Sequence, residues 1–306
     1  MKSNKKIISN HRRNHLVASL AALSCLLPML APATAQAQDN PKTAVIKENW
    51  DWAGPMAKVV KEGKGKNTEG VVLQLGDSLS YANQSTKWAF SGAPGGTAED
   101  RATVAWSHAG KRDNTDGWYL ARMDHPAGGR SETAASGIRT DEYIAGGKRG
   151  MPPLKALLEK FKPQVAFVLL GTNDAKGRRP VADVARDMAT IVDTILANGT
   201  VPVLQLVPPG ADEGHNELVR KYNEAYVTLA RAKKIPMIDL YGEFVTRAPN
   251  DWKTKLISGD GIHFTGDLSN GPATPENLAQ CGYLLRCWCA VQKLSEVKAK
   301  AIDTAK

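Results

Sequence analysis

Four short apolar runs separated by amphipathic stretches set the tightest limit on how this chain can fold. Val71 to Leu75, Val165 to Leu170, Val201 to Val207 and Pro236 to Leu240 read as buried strands. Helical patterns precede or separate the later ones, around Pro153 to Phe161, from Pro180 to Ala197 with Asn198-Gly199 as a C-terminal cap, and from Glu217 to Lys233. Strands apolar on both faces and joined by helices predict an α/β domain with a mostly parallel central sheet. The stretch between the first two strands departs from this rhythm; one further strand is expected in it, near Glu132 to Ser136. From Thr274 to Ala305 the apolar residues again recur at helical spacing.

The N-terminus has a different character. A basic segment ending at Arg13, an apolar run from Leu16 to Leu30 and the small-x-small sites Ala33-Thr34-Ala35 and Ala35-Gln36-Ala37 predict a signal peptide over residues 1–37. The interrupted run fits a membrane anchor poorly, and lipidation at Cys25 fits poorly too, so a secreted or periplasmic protein without stable membrane association is expected. The same segment accounts for much of the net charge of +9. It holds five basic residues and no acid, and without it 35 basic side chains face 31 acidic ones. That balance removes the case for a nucleic-acid partner. Residues 38–67 then form an N-terminal segment, and 68–300 the main domain, with an insertion at about 81–130.

Three cysteines, Cys281, Cys287 and Cys289, remain in the exported chain, all in the C-terminal helical pattern. On one continuous helix Cys281 and Cys287 would lie roughly 9 Å apart, and Cys287 and Cys289 would point in opposing directions, which excludes a disulfide. They read as core thiols, and a metal site has weak support from C-x-C alone.

The chemically suggestive residues follow the ends of the apolar runs, where open α/β sheets bind ligands. The first strand runs into Gly76-Asp77-Ser78-Leu79, a turn that would raise a serine above the sheet edge. The next ends in Gly171-Thr172-Asn173-Asp174, which brings an amide donor to that edge. Asp260-Gly261-Ile262-His263 places a carboxylate where it can accept from Nδ1 of an imidazole and leave Nε2 free for a serine proton. Asp174, His215 and Asp239 read as a turn or cap residue, a solvated residue and a strand-end structural acid.

In these blocks the sequence resembles the SGNH, or GDSL, hydrolase superfamily over about residues 68–295. The resemblance implies a flavodoxin-like three-layer α/β/α fold and an exported serine esterase. It implies Ser78 as nucleophile, His263 as base, Asp260 as its orienting acid, and an oxyanion hole that includes the Ser78 N-H and the Asn173 side chain. It requires no metal or organic cofactor. The family's second block departs from its pattern here, lacking the usual asparagine. Gly137 is the candidate for the third oxyanion donor, with Gly146 and Gly147 as alternatives.

The substrate expected is a small-molecule or carbohydrate ester with a short acyl group, because residues 81–130 combine Tyr81, Trp88, Trp106, Trp118 and Tyr119 with polar partners suited to sugar rings. The same rings would equally serve as a small core for the insertion. Lipase or lysophospholipase-like activity, acyl transfer with the same triad, and noncatalytic carbohydrate binding are the alternatives.

Overall fold

The computed structural model describes residues 44–125 and 129–306; the expected signal peptide and Cys25 lie outside them. In chain order the principal elements are α1 (Ala53–Gly63), β1 (Thr68–Gly76), the one-turn α2 (Ser78–Tyr81), α3 (Ala98–Trp106), α4 (Leu154–Phe161), β2 (Pro163–Leu169), α5 (Val181–Ala197), β3 (Val201–Gln205), α6 (Glu213–Lys233), β4 (Met237–Ile238) and α7 (Gly282–Val297). The four strands form one parallel sheet in the order β1-β2-β3-β4, in register from Val72 opposite Val165 to Gly76 opposite Leu169. Helices flank it. On one side α5 packs against α4 and α6; α7 packs against α3 and β4. The apolar runs were readable as strands because each is buried on both faces: Val71 to Leu75 and Val165 to Leu170 are all at most 1% exposed.

Three expectations need correction. The strand near Glu132 to Ser136 is a single parallel bridge from Ala134 to Gly76, on the edge of β1 opposite β2. The Ser131 hydroxyl accepts from the N-H groups of Thr133 (3.1 Å) and Ala134 (2.8 Å), which curls this segment away from a longer ladder. The last strand is two residues rather than five. The C-terminal segment is not one helix: a short turn, Pro275–Leu278, is followed by extended backbone at Cys281, and α7 begins at Gly282. A side chain at position 282 would collide with the Leu256 carbonyl, its Cβ only 2.3 Å away, so the helix starts where it can abut the 256–265 loop. The three cysteines are free and buried, and burial pushes the Cys287 thiol up to about 11.

The insertion lies against the sheet. Gly117 packs so closely on Val72 that a Cβ there would sit 1.9 Å from its carbonyl oxygen. Trp88 and Trp118 are fully buried, with indole N-H groups bonded to the Pro94 carbonyl (3.0 Å) and the Ser107 hydroxyl (2.9 Å). These two rings are core, and neither can form a sugar platform.

Candidate active site

The serine turn is built by close packing at the end of β1. A Cβ on Gly76 would lie 2.3 Å from the Ser80 hydroxyl and 2.8 Å from the Leu169 carbonyl, so only glycine lets the chain turn there. Asp77 caps α2, its carboxylate accepting from the Leu79 N-H at 2.9 Å. Ser78 is the first residue of that helix, 9% exposed at the sheet's carboxyl edge, and its N-H has no partner within the helix.

Asp260 and His263 occupy a tight hairpin. The Ile257–Phe264 bridge and the bond from Ser258 N-H to the His263 carbonyl (2.7 Å) close it, and Gly261 turns it at a φ of 77°. One Asp260 oxygen accepts from the Ser258 hydroxyl (2.8 Å) and the N-H groups of Ile262 (3.0 Å) and His263 (2.9 Å); the other meets His263 Nδ1 at 2.5 Å. Partial burial opposes ionisation, but these donors outweigh it and hold the Asp260 carboxyl well below the usual carboxylate range. The hairpin is anchored by its next residue. Thr265 accepts the Tyr283 N-H on its carbonyl and the Gly282 N-H on its hydroxyl, satisfying the first turn of α7.

Asn173 joins the serine turn to the second-block loop. Its Nδ2 donates to Asp77 Oδ2 and to the Ile138 carbonyl, both at 3.1 Å, and Ile138 directly follows Gly137, whose φ is 77°. Gly146 and Gly147 donate their N-H groups to the carbonyls of Glu142 (2.8 Å) and Met151 (2.7 Å), which leaves Gly137 as the glycine beside Asn173. The His263 imidazole is close enough to Asp77, one residue before Ser78, that positive charge on the ring would favour the Asp77 carboxylate, so the hairpin and the serine turn share one electrostatic neighbourhood.

Beneath these loops lies a network that the sequence reading did not anticipate. Asp174 is fully buried: it is bonded to Arg179 at 2.6 Å and to the Thr140 hydroxyl at 2.9 Å, and Arg179 reaches on to Asp187 at 2.8 Å. The network clamps the Gly137 and Asn173 loops together. Thr140→Val removes a hydroxyl that donates to Asp174 and accepts from Arg179 (2.8 Å), and is expected to cost about 1–3 kcal/mol, read as a lower urea midpoint at unchanged m-value. His215 is not the solvated residue expected from its sequence context; it lies in the first turn of α6, half-buried, with Nε2 shielded from solvent. Asp239 is a structural acid, capping the helix at Gly242 and accepting the Ile46 N-H.

Among the described residues no cluster of three His, Cys, Asp or Glu side chains could hold a metal, and no helix is long and apolar enough to cross a membrane. A cleft of about 560 Å³ borders Asp260 and Ile262, with Lys176, Arg178, His215 and Lys221 on its other walls.

The chain is similar in structure to a GDSL-like lipase from Bacteroides thetaiotaomicron (14% identity, 80% of this chain and 99% of that one, TM-score 0.48). It is similar also to a lipase/acylhydrolase from Enterococcus faecalis (17% identity, 74% and 95%, TM-score 0.46) and to a carbohydrate esterase family 3 protein from Talaromyces cellulolyticus (13%, 74% and 98%, 0.46). No curated protein matches it. The sequence profile of the GDSL-like lipase/acylhydrolase family matches residues 75–267, more than half of the chain, and the chain belongs to that family.

Proposed function

We propose that this protein is an exported serine esterase that removes short acyl groups, acetyl above all, from polar alcohols such as carbohydrates. The observation that carries the chemistry is the hairpin in which Asp260 holds His263 Nδ1, beside a helix-capped serine turn at the sheet's carboxyl edge. In this reading Ser78 attacks the ester carbonyl while Nε2 of His263 takes its proton. Asp260 fixes the tautomer and stabilises the imidazolium, and water then hydrolyses the acyl-enzyme. The oxyanion is held by the N-H groups of Ser78 and Gly137 and by Asn173, whose amide yields one of its present bonds to reach it.

Support for a polar alcohol comes from the cleft bordering Asp260, where Lys176, Arg178, Asp212, Glu217 and Lys221 offer hydrogen-bonding groups to hydroxyls. With Trp88 and Trp118 sealed in the core, these side chains replace aromatic stacking as the support for a carbohydrate ester, and the short acyl group is our expectation. The test is kcat/KM on p-nitrophenyl esters from acetyl to dodecanoyl and on an acetylated oligosaccharide. A preference for the acetyl ester of about tenfold or more over the dodecanoyl is expected, each lost apolar methylene contact counting for only a fraction of a decade. Rates that climb with chain length would refute the short-acyl assignment.

A further inference from the structure

Arg286 interrupts the apolar run Leu284-Leu285-Arg286-Cys287 of α7 and is fully buried. Its acceptors are all neutral: the Ser85 carbonyl (3.2 Å) and hydroxyl, Gln74 Oε1 (3.2 Å) and the Ser80 hydroxyl (3.1 Å); its Nε has no partner. A guanidinium in such surroundings loses its hydration for hydrogen bonds that carry no countercharge. Asp77 is the complementary case, a fully buried carboxylate whose bonds come from neutral donors, the Leu79 N-H and Asn173 Nδ2. The one-turn helix α2 joins the two. Asp77 caps its start and its carbonyl accepts the Ser80 N-H at 3.0 Å, while the Ser80 side chain takes a hydrogen bond from Arg286.

We propose that Arg286 is the buried counter-cation of the Asp77 carboxylate, a positioning residue that fixes the nucleophile turn and the Asn173 amide without touching substrate. Its catalytic consequence rests on the esterase reading above; its electrostatic core does not. An ionised Asp77 offers acceptors to both the Leu79 N-H and Asn173 Nδ2. A protonated one turns an O-H toward one of them, and the Asn173 amide loses the partner that sets its orientation. Burial pushes the Asp77 carboxyl up to about 7, Asp174 adds to the rise, and His263 and Arg286 oppose it. Burial likewise lowers Arg286 to about 10. Asp174 is itself paired with Arg179. Tyr283 and Cys287, the other ionisable groups near Arg286, are both pushed up by burial and stay neutral.

The sign of the pH effect follows. Folded Asp77 binds its proton more tightly than unfolded Asp77, so its contribution to stability falls as pH rises from about 4 through about 7. Removing Arg286 raises the folded value further and extends the loss to higher pH. Thermal unfolding of wild type, Arg286→Met, Asp77→Asn and the double variant at about pH 5 and pH 8.5 tests this. The deficit of Arg286→Met against wild type is expected to grow by about 3 °C or more between the two pH values, and to be independent of pH in the Asp77→Asn background. A deficit equal at both pH values overturns the pairing. Should Arg286→Met not fold, the double variant decides: folding restored by Asp77→Asn supports the pair, and failure of both refutes it. On p-nitrophenyl acetate, Arg286→Met should lower kcat about tenfold or more with KM within about twofold, and Arg286→Lys should recover part of the loss. An inactive wild type would remove the esterase reading and leave the unfolding data to judge the pair.

Discussion

Ser78→Ala and His263→Ala are each expected to lower kcat on p-nitrophenyl acetate by on the order of 10⁴- to 10⁶-fold, with the circular dichroism spectrum and unfolding midpoint of the wild type retained. The size follows from what each group does. In the proposed mechanism no acyl-enzyme forms without the hydroxyl, and without the imidazole the hydroxyl keeps its proton at neutral pH. If the two act on one proton transfer, as proposed, the double variant should be scarcely slower than either single one; losses that multiply would show that Ser78 and His263 are not partners. Neither substitution should disturb folding, since Ser78 caps nothing and the His263 side chain is 40% exposed. Asp260→Asn removes a carboxylate that also ties the hairpin through Ser258, Ile262 and His263. It is expected to lower kcat by about 10³- to 10⁴-fold. An amide at that position can still accept from the backbone, so stability should fall by less than activity.

What the sequence disclosed about this site was what is local along the chain. Asp260 and His263 are three residues apart, and the geometry that joins them is one hairpin turn, so the motif nearly contains its own structure. The apolar runs of β1 and β2 likewise carry their burial in their composition. Arg286 and Ser80 are 206 positions apart, and Asn173 and Asp77 are 96 apart; no spacing rule links them. Only one hint was present, a lone arginine in an otherwise apolar helical stretch, where an unsupported charge would be too costly to keep. Asp174 was misjudged for a related reason. A strand-end aspartate looks the same in sequence whether it faces water or a buried arginine, and Arg179 lies near enough to have been suspected.

The tryptophans show the limit most sharply, and they supply the second large effect. Trp118→Ala is expected to destabilise the protein by about 3–5 kcal/mol, roughly a 10 °C fall in Tm, while leaving kcat/KM of the folded fraction on an acetylated oligosaccharide within about twofold. Composition marks aromatic rings next to polar side chains but cannot say which face of the segment meets water. Here the backbone decides: Gly117 is pressed against β1, so the next side chain enters the space above Phe167, with ring centroids 6.4 Å apart, and the indole N-H finds the Ser107 hydroxyl inside the core. Truncation leaves a cavity too well bounded to collapse and strands the Ser107 hydroxyl without its donor. Trp118→Phe keeps most of the volume and loses the hydrogen bond, and should cost less than half as much. The contrast with a sugar platform is direct. An exposed stacking ring would raise KM for the oligosaccharide several-fold on truncation and barely shift Tm, so a Trp118→Ala protein with wild-type stability and weakened oligosaccharide turnover would contradict the packing described for residues 81–130.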